Sequence, residues 1–424
     1  MQRNTGDEFN PYAGVEENGR IPKAELPADL NHPDRWRYYP EGRIPPGNIL
    51  QRWLTTSFIA PVFFFESDIG AGGGINLTDL DFRHKRRQEL ANIFLSYTSE
   101  GQQRFSLTWW RWTNHRELPE GGVILEERSY VNARIGYQRT LTRRFFGFGA
   151  RTKERDESAY TEEKEWLSVE LQQSIPDPGH DLILRLGARL EHRNLGAADV
   201  DDTPSTKVSF PTTFDDDDNH DMLWIEGGLR WDTRDSQHLP YEGWHVGIDS
   251  RAAPLQTHGD TGVLISTNGS WITPVPTLLH DDGDATEEHP PTDSIAIGAR
   301  VDWLAGDLPF WARPSLGGAD TLRGFIGNRW TDDAAWHSSI EYRFWAIPRG
   351  FAISEGIRIE RLGAALFYEI GSVASDIGKL DGAQVHDSYG FSLRATVDRQ
   401  AVFRIDFGYS DEGSNLTIAY GLSF

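Results

Sequence analysis

Along most of the chain, apolar and polar positions alternate with a period of two. At the C-terminus Leu416, Ile418, Tyr420, Leu422 and Phe424 alternate with Thr417, Ala419, Gly421 and Ser423. Just before them Phe403, Ile405, Phe407 and Tyr409 alternate with Arg404, Asp406 and Gly408. Leu182, Leu184, Leu186, Ala188 and Leu190 do the same against Arg185, Gly187, Arg189 and Glu191, as do Ile295, Ile297, Ala299, Val301 and Trp303 against Gly298, Arg300 and Asp302. Such a period marks strands with one apolar face. A soluble antiparallel sandwich alternates too, with its apolar face inside. Here the other face carries glycine and charge strand after strand, as a narrow wet lumen would. The pattern predicts an all-β fold, a transmembrane antiparallel β-barrel.

Counting segments back from Phe424 gives about sixteen, the first beginning near Ile69; an even number puts both termini on one side, the periplasmic one. The centres fall near Gly73, Phe94, Leu107, Arg134, Phe148, Val169, Leu186, Ile225, Val246, Thr267, Ala299, Ile340, Phe367, Leu393, Ile405 and Ala419. Periplasmic turns should be short and extracellular loops long. The links at Leu141-Thr142 and Asp398-Arg399-Gln400 are short, and 114–128, 195–221 and 307–335 are long and fall outside. One link disobeys. Residues 276–293, with Asp281, Asp282, Asp284, Glu287 and Glu288, are long yet fall inside. Residues 1–56, rich in Pro, Asn, Glu and Arg, lack periodicity and read as an extended periplasmic tail; 57–424 read as the barrel. Phe58–Phe65 is too short to span as a helix and reads as a lead-in strand or a plug at the barrel mouth.

Composition sharpens this. No stretch approaches the roughly 20 apolar residues of a spanning helix, and a mean hydropathy of −0.52 excludes a helical bundle. A barrel escapes that test because only alternate residues face lipid. Fifteen Trp, 22 Phe and 13 Tyr suit interfacial girdles. The absence of Cys rules out a disulfide scaffold or thiolate metal site. A net charge of −22 argues against nucleic acid as a partner. No charged segment with an apolar core opens the chain, so an export leader is expected to be missing from it.

Between the eleventh and twelfth strands lies Pro309-Phe310-Trp311-Ala312-Arg313-Pro314-Ser315-Leu316-Gly317-Gly318-Ala319-Asp320-Thr321-Leu322-Arg323-Gly324-Phe325. Phe367-Tyr368-Glu369-Ile370-Gly371 and Glu341-Tyr342-Arg343-Phe344 follow on the next two strands. Trp231-Asp232-Thr233-Arg234-Asp235 precedes Pro240 and Gly243, and the chain ends on an aromatic, Phe424. Together these resemble the outer-membrane assembly superfamily, which includes the bacterial surface antigen, BamA/TamA and two-partner-secretion barrels. The likeness spans about 69–424 and is most specific from 309 onward. It implies that the extracellular loop folds back into the lumen, where Leu322, Arg323, Gly324 and Phe325 meet the wall at Phe367, Glu369, Gly371 and Glu341. The family's wall motif has Asp where this chain has Glu369, which lengthens the side chain and keeps its charge. Phe424 is similar to the signal read by barrel-assembly machinery, and Trp231–Asp235 to the family's inner turn. The family's polypeptide-transport-associated (POTRA) domains cannot fit in 1–56, so the chain is expected to be a member without them. The physics agrees: a guanidinium in a lumen loses hydration that a bidentate carboxylate contact partly restores, and Gly324 permits close approach to the wall.

Other clusters offer further chemistry. Residues 195–221 hold eight Asp (199, 201, 202, 215–218 and 221) with Lys207 and His220. Such oxygen density suits Ca²⁺, but a solvated acidic loop accounts for it as well, and no metal site is assigned. The same residues could serve a rim protease, though a lumen-filling loop leaves little room for one. Arg134, Arg185, Arg189, Arg230, Arg300, Arg343, Arg394 and Arg404 either line an anion pore or pair with Glu191, Glu226, Asp302 and Glu341 to hold the lumen in shape.

The resemblance implies a non-enzymatic, cofactor-free barrel of the bacterial outer membrane that assists insertion or translocation of proteins, or of lipids. Its partners would be outer-membrane lipids, a client outer-membrane protein and a separate periplasmic protein. A passive plugged pore or structural barrel is the alternative. A weak seam, which the family is thought to open laterally, is expected between Gly70, Gly72, Gly73 and Gly74 on the first strand and the last strand through Tyr420 and Phe424. Strand glycines cost entropy and offer no side chain to pack.

Overall fold

The computed structural model describes residues 26–39, 57–66, 70–79, 82–84, 88–118, 123–198, 203–214, 219–278, 293–347, 351–354, 357–397 and 401–424. A short strand, β1 (Trp36–Tyr39), precedes β2 (Ser57–Glu66), β3 (Gly70–Asp79), β4 (Glu89–Thr98) and β5 (Gln103–Trp112). Two further short strands, β6 (His115–Glu117) and β7 (Val123–Glu126), lead to β8 (Tyr130–Phe145), β9 (Ser158–Ile175), β10 (Leu182–Ala197) and β11 (Asn219–Asp232). Next come β12 (Gly243–Gln256), β13 (Gly262–Val275) and β14 (Asp293–Gly306), then two loop strands, β15 (Ser315–Leu316) and β16 (Trp330–Thr331). The chain ends with β17 (Ala334–Ile347), a small hairpin strand β18 (Phe351–Ser354), β19 (Ile357–Ala374), β20 (His386–Val397), β21 (Ala401–Ser410) and β22 (Gly413–Tyr420).

Fifteen antiparallel registers join sixteen of these, β2–β5, β8–β14, β17 and β19–β22, into a barrel wall. Among the described residues no register joins β2 to β22. The period of two divides each strand between two environments. Ile75, Leu107, Leu186 and Ile418 stand 47–63% exposed on the outside, while Glu341, Glu369 and Asp406 are 0% exposed inside. This is inside out for a protein in water and ordinary for one in lipid. None of the described helices is long and apolar enough to cross a membrane.

Sixteen traverses bring the chain back to the end at which it entered. At that end β1, β7 and β6 form a three-stranded sheet, and two arginines grip the turn at 233–242. Arg128 donates to the carbonyls of Asp232 (2.6 Å) and Arg234 (2.7 Å), and Arg35 to those of Thr233 (2.8 Å) and Arg234. Within the turn Arg234 forks onto Asp232 through Nε (2.9 Å) and Nη2 (2.8 Å). Gly243 closes it at φ +104°, where a Cβ would lie 2.6 Å from Arg234 Cα. The segment Trp231–Asp235 and Gly243 thus make one rigid corner.

The structure corrects several expectations. Phe148 centres no strand. Gly147 and Gly149 flank it at φ +87° and +103°, so the alternating Phe-Gly-Phe-Gly cannot extend. Leu141-Thr142 is no turn either; it lies inside β8 at a register shift between Thr140 and Arg143. The missing strand is supplied at the front, because Ser57–Glu66 is a full wall strand rather than a lead-in or plug. That shift moves 114–128 from the outer end to the end bearing the termini. It also makes the glycine-rich strand second. Gly70, Gly72, Gly73 and Gly74 pair with β2, and Gly72–Gly74 with β4 as well, so they do not border the last strand. Within the expected tail, Trp36–Tyr39 is a strand paired with β7.

Alternation at the C-terminus stops at Tyr420. Gly421 turns at φ +87°, and Phe424 enters the lumen beneath the Arg343 guanidinium (5.0 Å) and against Gly298, where a Cβ would meet its ring at 2.6 Å. Asp199, Asp201, Asp202, Asp215–Asp218, Asp281, Asp282, Asp284, Glu287, Glu288 and the link Asp398-Arg399-Gln400 lie outside the described residues. Of the acidic loop, Phe214 is buried beside Phe145 and Tyr160, and Asp221 pairs with His192 at 2.7 Å.

Candidate functional site

The connection from β14 to β17 folds back into the barrel. Its first arm is anchored by packing: Phe310 sits among Phe145, Tyr160, Leu195 and Phe214, and the Arg193 guanidinium covers Trp311 at 3.7 Å. The two arms zip together where β15 pairs with β16, Ser315 opposite Thr331 and Leu316 opposite Trp330. Two left-handed glycines, Gly317 and Gly318 at φ +108° and +96°, then start a tight turn. Leu322 is also left-handed, at φ +45°. That conformation costs a non-glycine residue about 1–3 kcal/mol and persists only where the surroundings impose it. Here Leu322 is fully buried, packed with Leu316, Phe325, Trp330, Ala335 and Val373.

The turn presents Arg323, 0% exposed, to the wall. Its Nε donates to Glu369 Oε1 at 3.0 Å and its backbone N–H to Glu369 Oε2 at 2.7 Å. Nη2 lies 2.8 Å from Glu341 Oε1 and Nη1 3.5 Å from Asp406 Oδ1, ion pairs without hydrogen-bond alignment. The Phe367 ring lies 3.6 Å from the guanidinium carbon, so one face of the cation rests on an aromatic surface. Glu369 also accepts from Ser388 Oγ at 3.2 Å and has His337 Nε2 at 3.6 Å. Glu341 is a hub, with Arg343 at 2.7 Å, Arg394 at 2.9 Å and Ser423 Oγ at 3.0 Å besides Arg323. Asp406 pairs with Arg404, which reaches the loop at Asp320 (2.7 Å). Arg323, Arg343, Arg394 and Arg404 therefore face the buried Glu341, Glu369 and Asp406 and the exposed Asp320, four charges of each sign. Buried charges persist when so paired.

Backbone contact completes the latch. At Gly324 a Cβ would fall 2.5 Å from the Tyr409 carbonyl oxygen, and at Gly408 it would fall 2.3 Å from that of Arg323. Gly371 leaves room for Leu316, whose Cδ1 would be 2.9 Å from a Cβ there. The last hairpin holds the tip from the other side. Asn415 donates to the carbonyls of Arg323 (3.1 Å) and Phe325 (2.9 Å), and Glu412 takes Arg329 at 2.6 Å. Gly408→Ala is expected to lift the tip, an overpacking cost of about 1–3 kcal/mol. Limited proteolysis should then cut the loop in a barrel that still resists heat in detergent; a loop as protected as the wild type would refute this.

Leu322, Arg323, Gly324, Phe325, Phe367, Glu369, Gly371 and Glu341 are thus brought together, while Gly70–Gly74 and Tyr420 lie elsewhere on the wall. Sequence reasoning missed Asp406, Ser388, His337, Asn415 and Gly408. Their signal was present, since Asp406 and Gly408 share the inward parity of Arg404 on β21. Of the lumen arginines, Arg189 pairs with Glu191 (2.5 Å), Arg300 with Asp302 (2.7 Å) and Arg185 with Asp249 (2.9 Å).

A lipid-facing barrel whose own loop is bolted to its inner wall by buried charge is an outer-membrane barrel with an internal latch. The Omp85 superfamily domain matches residues 87–424, and the chain belongs to that superfamily. No curated protein matches it in sequence. Among solved structures it is similar to BamA from Haemophilus ducreyi lacking POTRA domains 1–3, with a TM-score of 0.52 at 12% identity over 86% of this chain and 69% of that one. CdiB from Escherichia coli gives 0.52 at 12% identity, over 86% and 62%. CdiB from Acinetobacter baumannii gives 0.50 at 13%, over 86% and 59%. At these identities the likeness speaks for the fold.

Proposed function

We propose that this chain assists insertion or translocation of proteins at the outer membrane, acting without catalysis on outer-membrane protein clients. In this reading residues 57–424 are the membrane barrel, 1–56 a periplasmic arm, and the latched loop a strut that keeps the lumen in shape while the wall works. The single observation that carries it is the burial of Arg323 against Glu341, Glu369 and Asp406 in a chain of this superfamily. The opening would lie between β2 and β22 rather than at the glycine-rich strand.

The test is reconstitution of the full chain in vesicles with an urea-unfolded outer-membrane barrel as client. The wild type should raise the yield of protease-resistant client several-fold over empty vesicles, and a disulfide placed across β2 and β22 should remove the gain and restore it on reduction. A client yield equal to that of empty vesicles, together with a steady ion conductance in planar bilayers, would instead mark a plugged pore.

A further inference from the structure

On the outer face, at the end bearing the termini, Glu89 breaks the pattern of its strand. It shares the outward parity of Ile93 and Leu95, which are 38% and 44% exposed, yet is itself 0% exposed. Three side chains cover it. Arg83, from the turn between β3 and β4, forks onto it through Nε (2.8 Å) and Nη2 (2.9 Å). Arg111, its register partner on β5, brings Nη1 to 3.5 Å, and Trp109 donates its indole N–H at 3.3 Å. The Arg83 and Arg111 side chains remain 54% and 47% exposed. One buried carboxylate thus braces two half-exposed guanidiniums, with a net positive charge of one. A guanidinium has five N–H donors, so most remain for a ligand.

Sequence adds to the charge. Arg83 opens the run Arg83-His84-Lys85-Arg86-Arg87, with no acidic residue between Phe82 and Gln88, in a chain of net charge −22. Along the wall toward mid-barrel, past Ala91 and Trp109, the next outward pair is Ile93 and Leu107, exposed and apolar. The cluster therefore sits where the apolar band ends, the level at which Trp lies in a membrane interface. We propose that Arg83 and Arg111, braced by Glu89 and flanked by Trp109, bind the phosphate of an anionic phospholipid in the periplasmic leaflet. The proposal rests on the reading that this end of the barrel faces the periplasm. The ligand needs both an anionic headgroup for the fork, which suits phosphate oxygens, and acyl chains to lie along Ile93 and Leu107.

Native mass spectrometry tests it on the full chain in micelles with equal amounts of phosphatidylglycerol and phosphatidylcholine of matched acyl chains. The wild type should retain phosphatidylglycerol in preference. Each arginine replaced should lower that preference by about fivefold, so the double variant Arg83→Gln, Arg111→Gln should show almost none. Arg116→Gln, at the same end but bonded to Asp29, should leave it intact. If the double variant does not fold, Arg111→Gln alone keeps the Arg83–Glu89 fork and should still lose about fivefold. Equal retention of both lipids by the wild type, unchanged preference in the variants, or displacement by inorganic phosphate at matched ionic strength would overturn the proposal.

Discussion

Replacing Arg323 with alanine is expected to free the tip of the lumen loop without unfolding the barrel. The substitution deletes the principal cation on Glu369, which keeps the neutral backbone N–H of residue 323 (2.7 Å), Ser388 at 3.2 Å and His337 at 3.6 Å. Breaking a buried pair from one side costs about 3–5 kcal/mol, because the remaining charge is left poorly compensated. The loop is tied elsewhere by Arg329–Glu412 and by Trp311 under Arg193, so the loss should fall on 317–325 while the zipped arms hold. The wall registers do not pass through Arg323, so heat-resistant folding in detergent should survive. Limited proteolysis at the tip reads the difference, and protection equal to the wild type would refute it. Arg323→Lys should recover only part of the protection, since an ammonium supplies charge but not the fork.

A larger effect is expected at Glu341. Glu341→Gln keeps the shape and removes the charge, and among the described residues Glu341 is the one carboxylate that either Arg343 or Arg394 reaches. Three fully buried or nearly buried guanidiniums lose a carboxylate at once: Arg323 keeps Glu369 and Asp406, whereas Arg343 and Arg394 keep no side-chain carboxylate among the described residues, only Phe424 for Arg343 and Ser392 for Arg394. The penalty should reach or exceed the roughly 3–5 kcal/mol of a single broken pair, enough to compete with the marginal stability of an ordinary domain. Ser423, which donates to Oε1 of Glu341 at 3.0 Å, must then compete with the guanidiniums for the one oxygen a glutamine retains, so the C-terminal turn toward Gly298 should loosen with the loop. The expected readout is a lower unfolding midpoint in urea than for Arg323→Ala, with loss of heat resistance. A midpoint at or above that of Arg323→Ala would show that Glu341 is not the hub of the cluster.

Several features were legible before the structure because each rests on a local rule. The period of two around Leu186 or Ile405 fixes which face meets lipid, whatever the neighbours are. The loop and wall motifs were readable through their resemblance to the outer-membrane assembly superfamily, whose pattern Arg323, Gly324, Glu369 and Glu341 match or nearly match. Where local pattern and backbone freedom disagree, the reading failed. Phe146–Gly149 alternates like a strand, but its glycines turn left-handed, and Leu422 and Phe424 keep the outward parity while Gly421 turns them into the lumen.

The sequence by itself determined that the chain is a membrane barrel of alternating strands with a loop bearing Arg323. That follows because alternation is a property of each strand taken singly. Tertiary structure alone decided which strand is first, since the wrongly placed Phe148 and the overlooked 57–66 cancel in the total. It alone showed that Asp406, Asn415 and Gly408, on strands distant in sequence from the loop, close around the tip, Asp406 on the Arg323 guanidinium and the other two on the tip's backbone. A buried charge is stable only when its partners converge in space, and spacing along a chain does not say which strands will stand beside one another.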